Sequence, residues 1–448
     1  MWAGLNKYIH NKHFLSLAGN AVMAVISVVT IGLLFHHLTP AEVGGYAFFQ
    51  AVVVLMDSVR TGFLQTALIK FYTGVEEKRA NEVLGSIWYL GLLVTAIPFI
   101  ITIPSLFALP YIDNIGTKLI IQWFSITFAF TLPIVVAHWI LQSQGKFGKI
   151  LYIRLLNQGS FIVFILALIA TNRLTLQNAI WANLISCMIT CLVIFAKKWA
   201  YLTTIGYRTK SGIKEIYTFG KFSLGTTVSS SLLRSSDTFI INFMLGPAAV
   251  AIYNLAQRLM EVIEIPLRSF MATGITTLSA ASNRNDKEEV SSIMKKYAGT
   301  LTMLVLPLAL GAILFADVLV GTLGGAKYMG TEAANIFRIF MLFGILFPIE
   351  RFQGITLDML HKPQLNLIKV TLMLVVNVVG DFAGLYLLGN VYGVALASIP
   401  TFLGGMVFGY HALRRNIDYN LTDVFKVGYK ECKYRLAMQW NKRFASAG

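Results

Sequence analysis

Charge is scarce in this 448-residue chain: Asp, Glu, Lys and Arg make up 13% of it, where a soluble domain carries about 25%. Cysteine is scarcer still. Of three, Cys187 and Cys191 sit inside an apolar run and Cys432 in the C-terminal tail, so no extracellular disulfide framework is indicated. The first two, one helical turn apart, read as packing. The seven histidines are scattered, and His36 and His37 close an apolar run and read as interfacial. No His, Cys and carboxylate spacing that would hold a metal is present, no Ser-His-Asp arrangement can be drawn, and no Walker loop occurs. No catalytic residue, metal or resident cofactor is therefore expected, and the chain does not read as an enzyme.

In place of charge there is apolar length. Hydrophobic residues make up 56% of the chain. Phe14 to Phe35 is twenty-two residues without a formal charge, enough to cross a hydrocarbon core of about 30 Å. It is too long for the core of a signal peptide, and no small-residue cleavage site follows it. Twelve such runs are read, at 14–35, 44–67, 83–107, 118–141, 150–171, 174–196, 217–243, 248–273, 297–320, 333–356, 366–389 and 391–412. Helices are the spanning element, because backbone groups in lipid must be satisfied within the segment. The chain is thus expected to be an all-α, polytopic membrane protein with about twelve transmembrane helices.

The net charge of +16 points first to nucleic acid, but its distribution points elsewhere. Lys and Arg crowd the N-terminus, alternate loops and the C-terminal tail, while the opposite side holds only Lys118, Arg173 and Lys327. This positive-inside bias places both termini in the cytoplasm and makes membrane lipid, not nucleic acid, the partner. The tail from Arg414 to Gly448 mixes basic residues with Phe425, Tyr429, Tyr434 and Trp440. It reads either as a helix lying on the inner leaflet or as a disordered, solvated tail.

The phrase "LTPAEVGGYAFFQ" from Leu38 to Gln50 returns as "LGPAAVAIYNLAQ" from Leu245 to Gln257, with six of thirteen positions shared at an offset of 207. At the same offset Ser16-Leu17 falls on Ser223-Leu224, Phe63 on Phe270, Thr66 on Thr273 and Glu82-Val83 on Glu289-Val290. An even number of spans between copies keeps both in one orientation. Two parallel six-helix bundles with pseudo-two-fold symmetry are therefore expected, with the working site between them. The expected division is 1–205 and 206–413, across the basic linker Lys197 to Glu215, with 414–448 as a basic cytoplasmic tail. Pro40 and Pro247 open the second helix of each copy, where a missing N–H costs nothing. Pro98, Pro104, Pro133, Pro266 and Pro307 lie within spans and read mainly as static kinks.

A charge at the bilayer centre costs at least about 2.5–3.5 kcal/mol, so each one needs a reason. The second span holds Asp57 and Arg60 and the seventh Arg234 and Asp237, both i,i+3 pairs. The eighth holds Arg258, Glu261, Glu264 and Arg268, the tenth Arg338, Glu350 and Arg351, and the eleventh Asn377 and Asp381. Structural pairing can account for any one of them. The six arginines just named point further, to a wet and on balance cationic cavity between the halves. The arginine fork suits phosphate best. Arg60, Arg234, Arg258, Arg268 and Arg351 are the candidate contacts to such a group. Asp57, Asp237, Glu264 and Asp381 are the candidates for pairing with them or for carrying a coupling ion, H+ or Na+. Arg234 and Asp237 fall on Ser27 and Thr30 of the first copy, so the charge of the seventh span belongs to the second half alone.

The blocks "LTPAEVGGYAFFQAVVVLMDSVRTG" and "SSDTFIINFMLGPAAVAIYNLAQRLMEVIEIPLRSFMATGITTLSAASN" resemble the polysaccharide and oligosaccharide-lipid flippases of the multidrug/oligosaccharidyl-lipid/polysaccharide exporter superfamily. The resemblance is specific over residues 36–66 and 234–283, in Asp237, Leu245-Gly246, Val250 and Tyr253, and elsewhere lies in topology. It implies an inner-membrane transporter that moves a lipid-linked oligosaccharide, usually on undecaprenyl pyrophosphate, from the cytoplasmic to the outer leaflet. Alternating access between the bundles is the implied mechanism, with O-antigen, capsule or exopolysaccharide as the product and a glycan polymerase and glycosyltransferases as pathway partners. Multidrug members of the superfamily usually carry an acid in the first span, and Phe14 to Phe35 has none. Peptidoglycan-precursor members commonly have two more spans than are read here. Two alternatives stand beside this. An ion-coupled multidrug exporter would want an acidic cavity. A membrane-embedded glycan polymerase or acyltransferase would want a catalytic loop or carboxylate/His cluster at the interface.

Overall fold

The computed structural model describes residues 12–445, with side chains from Val22 to Tyr434 save a few positions within two long helices. Both chain ends, and the side chains of Ser16, Leu17, Pro266, Thr273 and Trp440, lie outside the described part. Among the described residues there is no strand, and twelve long helical segments follow one another. They are α1 Lys12–His37, α2 Pro40–Tyr72, α3 Glu77–Ser105, α4 Ile115–Ser143, α5 Phe147–Ala170 and α6 Leu176–Ala196. Then come α7 Lys210–Met244, α8 Pro247–Asn283, α9 Lys287–Leu314, α10 Ala333–Gly344 continued by Phe347–Met359, α11 Pro363–Leu388 and α12 Val391–Arg414. The tail adds α13, Leu421–Ala445. Eight of the twelve are long and apolar enough to cross a membrane, and the bent α10 makes a ninth. The charge-bearing α7 and α8 are not among them, and of α1 only Val22–His37 is a described apolar stretch. The fold is all-α and polytopic, as the apolar runs predict.

Local chemistry explains the helix starts and breaks. Thr39 caps α2 in a reciprocal capping box with Glu42, and Pro40 takes the first helical position. The prolines Pro98, Pro104, Pro133 and Pro307 ride inside continuous helices. The breaks come elsewhere. A π turn interrupts α2 at Thr61–Gln65 and another α4 at Ile120–Phe124; each inserts a residue and re-aims the face beyond it. α10 bends by 50° between its two pieces, with Pro348 in the first turn of the second. The sequence reads this stretch as one span, 333–356, because hydrophobicity is continuous across the bend.

The chain forms two compact units, Met1–Ala251 and Ile252–Gly448. The break falls in the second turn of α8, and within the first unit α7 packs along α2. Gly62 faces Thr227, and Gly220 sits on the Phe63 backbone too closely for a Cβ. Thr66 Oγ1 donates to Ser223 Oγ at 3.0 Å. Nearer the other end, Phe48 meets the edges of Phe239 and Phe243 at 5.4 and 5.5 Å. The linker between α6 and α7 lies on α3. There Trp88 Nε1 donates to the Ala200 carbonyl at 2.8 Å, and Arg79 bridges Glu82 and Glu215. Leu64, Leu84, Ile87, Val136 and Ile140 form the apolar centre of this unit.

In the second unit α11 and α12 make the closest pair. Gly384 and Gly393 meet backbone to backbone, and neither has room for a Cβ. The same device joins α9 to α13 through Gly299 and Gly428. The described part of the tail is thus ordered, which sets aside the disordered alternative over Leu421 to Tyr434. One face of that helix lies on α9.

Candidate functional site

The predicted site residues fall into two kinds of environment, those wholly enclosed by their own unit and those that keep an exposed charge. Arg60 is the clearest of the first kind. It lies on α2 one residue before the π turn and is fully buried. Its Nε donates to Asp57 Oδ1 at 3.0 Å, and Nη2 reaches the same oxygen. Nη2 also donates to Thr131 Oγ1 at 2.6 Å, and Nη1 to the Phe128 carbonyl at 2.8 Å and to Thr95 Oγ1 at 3.5 Å. The Phe128 ring lies 3.7 Å beneath the guanidinium carbon. All five N–H donors are engaged, on three helices. Arg60 is therefore the hub that ties α2, α3 and α4 together, the pairing role, with no donor left for a ligand. Asp57, its partner, stays part-exposed.

Arg234 and Asp237 lie on α7 between its two packed stretches. Arg234 is exposed and donates from Nη2 to Ser231 Oγ at 3.2 Å. Asp237 is buried, with Ser236 Oγ 3.5 Å from its Oδ1.

In the second unit the acids and bases of α8 pair along the helix. Arg258 Nη1 meets Glu261 at 2.7 Å, and Arg268 Nη2 meets Glu264 at 2.5 Å. These are the i,i+3 and i,i+4 contacts that the spacing allows. Arg268 remains 72% exposed, so its guanidinium has donors to spare. Arg351 on α10 is exposed as well, 3.7 Å from Glu350. Arg338 is held by Asp317 at 2.5 Å, Asn335 at 2.6 Å and the Ile313 carbonyl at 3.3 Å. Asn377 donates to Asp381 at 3.0 Å, both buried on α11.

Two arrangements go unread in the sequence. Lys369 on α11 is buried and reaches across to α10, with Nζ 2.7 Å from Glu350 Oε1 and 3.0 Å from the Glu350 carbonyl. It is a lone cation in an apolar run, so the rule that singled out the arginines would have found it. Arg154 on α5 lies 3.1 Å from His138 Nε2 on α4, a contact between helices that no spacing along the chain announces. Glu350 also borders a cavity of about 200 Å³ at the α10 bend, otherwise lined by apolar groups such as Leu342, Leu346, Phe402 and Met406. Just past α12, the Tyr419 hydroxyl accepts from Gln353 Nε2 of α10 at 3.1 Å, and burial pushes that phenol above its ordinary range. Among the described residues no group of three or more His, Cys, Asp or Glu side chains is placed to hold a metal.

Comparison with known proteins gives a consistent picture. A family model described as a polysaccharide biosynthesis protein matches residues 34–332. A probable low-salt glycan biosynthesis flippase of Haloferax volcanii is 24% identical over 204 residues, 45% of this chain and 42% of that protein. A teichuronic acid biosynthesis protein of Bacillus subtilis is 26% identical over 156 residues, 34% of this chain and 30% of that protein. The chain thus spans less than half the length of the curated relatives it matches. An inward-facing multidrug-resistance transporter superposes with a TM-score of 0.75 at 18% identity, over 88% of this chain and 96% of that one. A lipid II flippase in an inward-closed conformation superposes with a TM-score of 0.74 at 14% identity, over 95% of this chain and 92% of that one. At such identities the likeness is one of fold, shared by an exporter and a flippase alike.

Proposed function

The chain belongs to the polysaccharide biosynthesis protein family, and from that premise we propose that it flips a polyprenyl-pyrophosphate-linked oligosaccharide from the cytoplasmic to the outer leaflet of the inner membrane. The product would be a surface polysaccharide such as O-antigen, capsule or exopolysaccharide, made with a polymerase and glycosyltransferases of the same pathway. The observation that carries the reading is the set of arginines inside membrane-length helices that keep an exposed guanidinium: Arg234, Arg268 and Arg351. Lipid offers such a group nothing, and an anionic substrate does. Arg258, paired with Glu261 and 30% exposed, joins them as a further contact. Arg60 serves the same end at one remove, by fixing the helices around Asp57.

In this proposal the halves 1–205 and 206–413 rock about the substrate, and the pyrophosphate travels between arginines while the polyprenyl chain stays in lipid. Asp57, Asp237, Glu264 and Asp381 are the acids that would take up a coupling proton or sodium ion. Both termini would face the cytoplasm, following the excess of Lys and Arg on that side. The likeness of fold to a multidrug-resistance transporter supports a second reading, export of small cations, against which the arginine excess counts.

The test replaces Arg234 by Ala and by Lys in a host deleted for the gene, with protein levels matched. Surface glycan should be lost with Ala, partly restored with Lys, and accompanied by lipid-linked oligosaccharide retained on the cytoplasmic side. Full surface glycan in the Ala variant removes Arg234 from the site. Drug resistance conferred on a hypersusceptible host, without any effect on glycan, would favour the second reading.

A further inference from the structure

We propose that α13 is a docking surface for anionic lipid headgroups, held at the membrane boundary by α9. The argument starts from how the tail sorts its charges. Between Arg414 and Gly448 there are three acids, Asp418, Asp423 and Glu431, among eight basic residues. All three acids lie within ion-pair distance of α9 lysines: Asp418, in the exposed turn before α13, and Asp423 lie 3.7 and 3.8 Å from Lys295, and Glu431 lies 3.0 Å from Lys296. Ser291 Oγ donates to the Asp418 carbonyl, and Val424 and Gly428 are buried against Gly299. The helix is thus pinned by the close backbone contact at Val424 and Gly428 and by Glu431 beside Lys296.

The opposite face is what remains, and it is uniform in character. Lys426, Lys430 and Lys433 are exposed at i, i+4 and i+7, one row of the helix. Beside them Phe425 and Tyr429 form a second exposed row, and Tyr434 is exposed on the other flank of the lysines. The acids are matched by Lys295 and Lys296 of α9, while the lysines and aromatic rings of α13 stay outward. A polar helix face meant only for water has no use for Phe425 and Tyr429. Aromatic rings beside lysines are the composition of a headgroup layer, where the ring sits at the interface and the ammonium meets phosphate. The crossing at Gly299 lies close to residue 297, where the apolar run of α9 begins, so the face stands at the level of the headgroups. The leaflet is the cytoplasmic one, which rests on the orientation proposed above.

The experiment titrates the full-length protein in detergent with phosphatidylglycerol and, separately, with phosphatidylcholine, and reads bound lipid by native mass spectrometry. Three proteins are compared: the wild type, the triple variant K426Q/K430Q/K433Q, and the charge-matched control K197Q/K198Q/K210Q in the linker. The expected result is a preference for phosphatidylglycerol that falls about fivefold per lysine removed from α13, the equivalent of about 1 kcal/mol each, and that the control retains. An equal loss in the control, an unchanged preference in the α13 variant, or no preference in the wild type overturns the proposal. Thermal melts of the three proteins establish that each is folded. Because binding is read without transport or sidedness, a failure here is separate from a failure of the flippase reading.

Discussion

Replacing Lys369 by Met probes an enclosed ion pair of the second unit. Its ammonium is 1% exposed and its partner Glu350 4%, so neither charge has water to fall back on. With Nζ gone, Oε1 of Glu350 loses its contact at 2.7 Å, and only Arg351, 3.7 Å from Oε2 and itself exposed, remains nearby. Removing one member of a buried pair costs about 3–5 kcal/mol, chiefly because the other is left uncompensated. Glu350→Met should cost a similar amount for the converse reason. The double variant, which removes both charges and leaves two apolar side chains of fitting size, should come within about 1 kcal/mol of the wild type. The assay is equilibrium unfolding of purified protein in mixed micelles, arranged as a double-mutant cycle. Costs that simply add, with no coupling between the sites, would refute the argument that each of these buried charges is sustained by the other.

Three more outcomes follow from single contacts. Arg60→Lys keeps the charge but loses the fork that reaches Asp57, Thr95, Thr131 and Phe128; it should lower the melting temperature of the purified protein while transport per folded molecule persists, and a wild-type melt would remove Arg60 as a hub. Gly393→Ala places a methyl on the Gly384 backbone and should cost about 1–3 kcal/mol or more, whereas Gly404→Ala on the same helix meets open space and should leave the unfolding midpoint unchanged or raised. Thr39→Ala removes the capping box of α2 and should cost about 1 kcal/mol in the same unfolding assay.

The helices were open to a reader of the sequence because lipid imposes one pattern, long apolar runs, on every one of them. Their internal departures were not. The π turns of α2 and α4 and the bend of α10 fall in stretches whose hydrophobicity does not change, and Pro98, Pro104, Pro133 and Pro307 sit in continuous helices away from them. The intramembrane charges were all visible as residues, yet their roles divide by surroundings that spacing cannot reveal. Arg60 and Arg268 each have an acid one turn away; one is enclosed by Thr95, Phe128 and Thr131, and the other is exposed. Contacts along one helix, such as Arg258 with Glu261, could be read from i,i+3 spacing. Contacts between helices, such as Lys369 with Glu350 or Arg154 with His138, needed the packing.

The glycine contact between α11 and α12 bears on how the chain enters the membrane. α11 carries Lys369, Asn377 and Asp381, and a single charge at mid-bilayer already costs about 2.5–3.5 kcal/mol on insertion. Alone in a translocon, α11 is a poor candidate for release into lipid. Gly389, at φ +66°, turns the chain straight back into α12, and Gly384 and Gly393 bring the two backbones together just beside that turn. The pair is built to leave as a hairpin, the two helices closing on each other at their glycines during synthesis. Insertion of α11, scored by glycosylation mapping, should rise when α12 follows it and fall again when Gly393 is replaced by a bulky residue.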